Sequence, residues 1–128
     1  MRVMVFGTFD ILHPGHINFF KQARAYGTEL YVVVARDSTV QRIKHKLPRH
    51  TEEQRLAAVR AEPLVMKAIL GSAVDPMAVI YENTPDVVCL GYDQDHIFVH
   101  KLYSEFPNLS VVRLTSYKPE HYKSSLLH

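Results

Sequence analysis

Residues 3–20, Val3-Met4-Val5-Phe6-Gly7-Thr8-Phe9-Asp10-Ile11-Leu12-His13-Pro14-Gly15-His16-Ile17-Asn18-Phe19-Phe20, decide the fold. Val3 to Phe6 is an apolar run that stops at Gly7, which reads as a buried strand feeding a tight turn. Pro14-Gly15 then opens a helical stretch expected over residues 16–26. In it Ile17, Phe20 and Ala23 are spaced to face a core, and Gly27 stands as the C-terminal stop. Residues 30–35 form a second continuous apolar run. One helix between two such runs is the βαβ unit of a parallel sheet.

The same alternation continues outward. Thr51-Glu52-Glu53-Gln54 has the form of a capping box, so a helix is expected to residue 61, with Pro63 marking its end. Residues 65–70 read as a short third strand. Asp75-Pro76 looks like an N-cap followed by proline at the first helical position, opening a helix to residue 82. Residues 86–90 give a fourth strand, 95–106 a helix, and 110–114 a fifth strand ahead of a polar tail. Five strands alternating with helices predict an α/β fold, a doubly wound, Rossmann-like parallel sheet in a single domain over residues 1–128. Ligands then bind beyond the carboxyl ends of the strands. The segments that qualify are residues 7–16, 37–49, 91–95 and 115–125.

Composition narrows the classes. With 128 residues, 47% of them apolar and 22% charged, the chain fits one ordinary core. Fifteen Lys and Arg against thirteen Asp and Glu leave +2, too little basic excess to drive nonspecific nucleic-acid binding. Cys89 is the only cysteine, so neither a disulfide framework nor a zinc finger can be built, and a reducing cytoplasm is the expected setting. The longest apolar runs, about five residues, fall far short of the roughly 20 that span a bilayer. The N-terminus has strand pattern where a signal peptide needs a charged and then an apolar block.

The decapeptide Gly7 to His16 holds two glycines, a proline and two histidines between a strand and a helix. A helix N-terminus carries about half a positive charge and unpaired N–H groups, so this turn suits phosphate. It has neither the P-loop ending Gly-Lys-Ser/Thr nor Gly-x-Gly-x-x-Gly. His13 and His16 stand three apart and can point to one side. They read as phosphate contacts, a metal pair or a structural pair; no third ligand is placed beside them, and the dipole favours an anion.

Residues 37–49 read as a basic loop holding Arg42, Lys44, Lys46 and Arg49, either a solvated surface or cations over phosphates. Gly91-Tyr92-Asp93-Gln94 follows the fourth strand, where Asp93 could accept from ribose hydroxyls or a base amino group, or close an Asx turn. His96 and His100, four apart on a helix, lack the further ligand of a zinc site. Cys89 reads as a packed thiol, and Tyr103, Phe106 and Tyr117 as packing residues.

At the decapeptide the sequence resembles the nucleotidyltransferase superfamily with the His-x-Gly-His signature, specifically its small cytidylyltransferase-like members. Across nearly the whole chain it is similar to the archaeal-type FAD synthase family. That similarity runs through Gly-Thr-Phe-Asp-Ile-Leu-His-Pro-Gly-His, Ala35-Arg36-Asp37, Glu52-Glu53-Gln54-Arg55, Gly91-Tyr92-Asp93-Gln94 and Tyr122-Lys123-Ser124-Ser125. The resemblance implies transfer of AMP from ATP to FMN, giving FAD and pyrophosphate, with Mg2+ bound mainly through the nucleotide phosphates. A homodimer is the expected assembly.

The resemblance also implies roles. His13, His16 and Lys44 would be catalytic. Gly7, Thr8, Phe9, Asp10, Gly15, Lys46, Gly91, Tyr92, Asp93 and Gln94 would contact the nucleotide. Lys123, Ser124 and Ser125 would grip its outer phosphates, although the basic residue expected two places after the last hydroxyl is here Leu127. Arg55 would tie its helix to the basic loop. The motifs do not choose the acceptor, so cytidylyl transfer to glycerol-3-phosphate, or adenylyl transfer to a heptose phosphate, stays open. A nucleotide-binding sensor that does not turn over is the alternative of another class.

Overall fold

The computed structural model describes residues 1–91 and 96–115, with His96 described in its backbone only. The elements run β1 (Arg2–Gly7), α1 (Pro14–Arg24), β2 (Glu29–Val34), α2 (Asp37–Lys44), α3 (Glu52–Arg60), β3 (Lys67–Leu70), α4 (Ala78–Asn83), β4 (Val87–Leu90), α5 (His96–Glu105) and β5 (Ser110–Arg113). The strands form one all-parallel sheet in the order β3-β2-β1-β4-β5.

Strand periodicity makes the layers. Successive side chains point to opposite faces, so Val3 and Val5 of β1 join Leu30, Val32 and Val34 of β2 and Val87 and Cys89 of β4 on one face. Phe20 and Ala23 of α1 and Val59 of α3 cover that face. Met4, Val33, Val88 and Leu90 occupy the other face, covered by Val79 and Ile80 of α4 and Leu102 of α5. Each such large apolar side chain taken fully out of water contributes about 1.5–3 kcal/mol. The near-continuous apolar runs of the sequence are therefore the signature of a sheet buried on both faces.

The winding reverses at β1. Chain order carries β1, β2 and β3 outward in one direction, whereas β4 and β5 lie on the other side of β1. Val5 pairs with Cys89, so Gly7 and Gly91 leave the sheet two residues beyond that pair on adjacent strands. The loop of residues 7–16 and the segment starting at Gly91 thus begin side by side at the switch point, where open α/β sheets bind ligands.

Three expected boundaries are corrected. Residues 37–44, expected as part of a loop, are helix α2. Val40 alone is buried along it, too little apolar pattern to announce a helix, but Asp37 in the first turn and Arg42 and Lys44 in the last complement its dipole. Helix α1 starts at Pro14 rather than at residue 16, because proline suits the first helical position and His13 caps it, and it ends at Arg24. Asp75 caps a turn rather than a helix. Its Oδ1 accepts the Met77 N–H at 3.0 Å, the Ala78 N–H reaches its carbonyl at 3.1 Å, and α4 begins only at Ala78.

The capping box of α3 is present as expected, with Thr51 Oγ1 accepting the Gln54 N–H at 3.2 Å and Gln54 Oε1 accepting the Thr51 N–H at 2.9 Å. Among the described residues no helix is long and apolar enough to cross a membrane.

Candidate active site

The site is built on the first turn of α1. His13, in an extended conformation at φ −141°, accepts the Gly15 N–H on its Nδ1 at 3.0 Å. His16 Nδ1 accepts the His13 N–H at 3.4 Å, closing a capping box made of two imidazoles. The rings stack with centroids 3.9 Å apart and planes 29° apart. A backbone N–H can only donate, so both Nδ1 atoms are acceptors and each neutral ring carries its proton on Nε2. The cap therefore sets the tautomer of both histidines. The stacked pair stands at the positive end of a helix.

Phe9 sets the shape of the loop from below. It sits at φ 54°, in the left-handed region, with its side chain 4% exposed. Its ring packs on Phe20 at 5.4 Å and edge-on to His16 at 5.3 Å between centroids. The residue as a whole is buried, and its side chain belongs to the core. Gly7 makes this possible, because a Cβ there would stand 2.6 Å from the Phe9 ring.

Arg55 is the hidden brace. It is 1% exposed and donates to the carbonyls of His50 at 3.1 Å, Thr8 at 2.9 Å and Ala35 at 2.8 Å, and to Asp37 Oδ1 at 2.7 Å. One guanidinium thereby joins the 7–16 loop, the end of β2 and the first turn of α2, the tie expected of it. Asp37 Oδ2 also accepts the Glu52 N–H, Glu52 accepts the Asp37 N–H in return, and Arg36 pairs with Glu52 at 3.0 Å.

Asp10 turns toward protein. Its carboxylate accepts the N–H groups of Arg49 at 2.7 Å and His50 at 2.8 Å, and His50 Nδ1 donates to the Asp10 carbonyl at 2.8 Å. Partial burial pushes its pKa up, but the two backbone N–H groups and the His50 side chain outweigh this and hold it below the usual 3.8.

Lys44 closes α2, and Lys46 follows it; both are exposed. Lys46 is three residues from Arg49, which sits on Asp10, so the chain holds its backbone within about 11 Å of that junction. Gly15 lies in the first turn of α1 with its N–H on His13, and Thr8 gives its carbonyl to Arg55. Gly91 accepts from Arg113 at 3.1 Å. Tyr92, Asp93, Gln94, Tyr117, Lys123, Ser124, Ser125 and Leu127 lie outside the described residues. Phe106, just beyond α5, packs against Tyr81 of α4 at 4.7 Å, whereas Tyr103 of α5 is exposed rather than packed.

A cleft of about 630 Å³ opens beside this junction, at the carboxyl ends of β2 and β3. Arg36, paired with Glu52, lines it together with Asp37, Glu82, Ser38 and Ser72, and Leu70, Ala73 and Val79 supply apolar surface. Gln22 is a site-building residue the sequence reading passed over. Its amide brackets Thr115, donating to the carbonyl at 2.9 Å and accepting from the N–H at 3.1 Å, so α1 holds the chain as it leaves β5. The polar pair Asn18 and Gln22, four apart on α1 and bonded at 2.8 Å, was the available signal.

The cytidylyltransferase-like family pattern matches residues 4–127 of this chain. The FAD synthase of Methanohalophilus mahii is 48% identical over 117 residues, spanning 88% of this chain and 80% of its own length. That of Methanocella paludicola is 44% identical over 128 residues, spanning 97% and 90%. A crystal structure of the lipopolysaccharide core biosynthesis protein from Thermoplasma volcanium superposes with a TM-score of 0.82 at 41% identity, covering 92% of this chain and 98% of that one.

Proposed function

The chain belongs to the cytidylyltransferase-like family, and from that premise we infer that it acts as an FAD synthase, a nucleotidyltransferase that moves AMP from ATP to the phosphate of FMN and releases pyrophosphate. The observation that carries the chemistry is the stacked pair His13 and His16, whose Nδ1 atoms are both tied to backbone N–H groups.

The mechanism follows from charge. An oxygen of the acceptor phosphate attacks the α-phosphorus of ATP in line, the bond to the bridging oxygen breaks, and pyrophosphate leaves. The acceptor phosphate is already ionised near neutral pH, so no side chain has to take a proton. The two Nε2–H groups and the N-terminus of α1 donate to the α-phosphate oxygens, where negative charge builds in the transition state. They are positioned before the substrate arrives, so little reorganisation is needed at the moment of reaction. Lys44 and Lys46 add cationic charge over the phosphates, and residues 7–16 and 91–94 hold the nucleoside. Lys123, Ser124 and Ser125 take the outer phosphates.

The cleft beside α2 suits the uncharged body of the acceptor. Asp37 is paired with Arg55 and Glu52 with Arg36, so Glu82, which disfavours a polyphosphate, and the hydroxyls of Ser38 and Ser72 are the groups that would meet hydroxyl and ring N–H donors. In this reading Mg2+ is held mainly through phosphate oxygens of the nucleotide. Bound there, the ion would offset the charge of the triphosphate. We take the unit of activity to be the domain of residues 1–128, acting in the cytoplasm as a homodimer. The exposed Met66 and Val74, flanking edge strand β3, support an interface there.

The similarity to the lipopolysaccharide core biosynthesis protein of Thermoplasma volcanium favours a second reading, adenylyl transfer to a sugar phosphate. One matrix separates the two: ATP and CTP against FMN, glycerol-3-phosphate and a heptose phosphate, read by pyrophosphate release and product mass. FAD formed only from ATP with FMN is the expected result. A nucleotide-activated sugar and no FAD would establish the second reading, and nucleotide-dependent stabilisation without any pyrophosphate would make the protein a sensor.

A further inference from the structure

We propose that Asp10 is a positioning residue whose carboxylate latches the basic segment that closes α2 onto the 7–16 loop, and so presents Lys44 and Lys46 to the phosphates. The second half of this inference rests on the functional reading above; the latch itself does not.

The geometry commits both carboxylate oxygens. Oδ2 accepts the Arg49 N–H at 2.7 Å and Oδ1 the His50 N–H at 2.8 Å. The Nδ1–H of His50 donates to the Asp10 carbonyl at 2.8 Å and lies 3.2 Å from Oδ1. Four contacts thus join stretches some forty residues apart in sequence.

The latch is anchored at both sides. Phe9, the residue before Asp10, is fixed by its buried ring and by its left-handed backbone. Arg55 holds the Thr8 carbonyl on one side of the junction and the His50 carbonyl on the other. Residues 8–10 and 49–50 are therefore clamped twice, by a cation and by an anion. Beyond the clamp the chain runs back through Lys46 to the end of α2, and every cation on that stretch is exposed.

Asp10→Asn tests this directly, since it replaces one accepting oxygen by an NH2 group facing an amide donor. Hydrogen exchange over residues 44–50 reads the latch itself: exchange at the Arg49 and His50 amides should quicken about tenfold or more. Turnover reads the consequence through a cycle with Lys44→Ala/Lys46→Ala, which removes both cations the latch presents. If Asp10 acts through this segment, adding Asp10→Asn to that background should give a protein no more than about twofold slower than the slower of the two parents of the cycle. Stabilisation by ATP should persist in Asp10→Asn while kcat falls. His50→Ala, which leaves both amides in place, should shift exchange and kcat in the same direction by less, and it serves if Asp10→Asn does not fold.

Unchanged exchange at Arg49 and His50 would overturn the latch. Losses that multiply in the cycle would overturn the proposal too, because they would make Asp10 a direct nucleotide contact. Full turnover in Lys44→Ala/Lys46→Ala would instead defeat the functional reading of those lysines, and the exchange measurement would still decide the latch.

Discussion

The Nη2 of Arg55 lies 2.7 Å from Oδ1 of Asp37, and this pair couples the inside of the sheet to the rim of the site. The arginine side chain is fully buried, whereas the aspartate is one-third exposed. A guanidinium out of water is tolerable only because three carbonyls and a carboxylate together meet its donors. Those partners are the places where the loop after β1, the end of β2 and the start of α2 must meet.

Arg55→Met should therefore destabilise the protein by at least about 3 kcal/mol, because it strands three carbonyls and a carboxylate that no apolar group can satisfy. Arg55→Lys should recover less than half of the loss, since one ammonium cannot reach acceptors arranged around a planar fork. Urea denaturation measures both. A variant within about 1 kcal/mol of the parent would mean that water replaces the guanidinium at this junction.

His16→Ala should cost about 100-fold or more in turnover, the scale for removing a transition-state donor. His13→Ser separates capping from chemistry, because serine caps a helix well but offers no ring N–H. It should keep stability within about 1 kcal/mol of the parent and still lose turnover of the same order. Near-normal turnover in a folded His16→Ala protein would remove that ring from the mechanism.

Much of this molecule was legible in its sequence, and the failures share one physical cause. Strands were plain because runs such as Val87 to Leu90 have no polar face to show, and the α3 cap was plain because Thr51 and Gln54 satisfy each other's backbone locally. Helix α2 was missed because Val40 is its only buried residue, so its helicity rests on charge and on its neighbours rather than on an apolar stripe. The hydrogen-bond partners of Asp10 and Gln22 were hidden for a related reason. Their partners stand 39 and 93 residues away, and only the topology brings them together. The stacked histidines were half legible: their spacing gave proximity, and the capping bonds gave the tautomer.

Cys89 lies in the central layer with no exposed surface, and burial pushes its thiol up to about 11. The native protein should not react with a disulfide reagent at pH 8, and should react fully once unfolded. The sign of the linkage follows. The unfolded thiol ionises near 9.0 and the folded one near 11, so between these values the folded state binds more protons and stability falls as pH rises. Comparing denaturation at pH 8 and pH 10 in the parent and in Cys89→Ala isolates this thiol, and the alanine protein should show the shallower decline.

Gly7→Ala tests whether the core below the loop sets the histidines. Gly7 does not sit at positive φ, so an added methyl strains no backbone dihedral. The trouble is the Phe9 ring, with three carbons 2.6, 2.8 and 3.0 Å from the new Cβ and its retreat blocked by Phe20 and His16. The variant should lose about 1–3 kcal/mol of stability from overpacking, and should lose turnover because the displaced ring pushes on His16. In a Phe9→Leu background the same methyl should cost much less, since the obstructing ring is gone. An equal cost in both backgrounds, measured by urea denaturation, would place the strain elsewhere and leave the His16 geometry independent of Phe9.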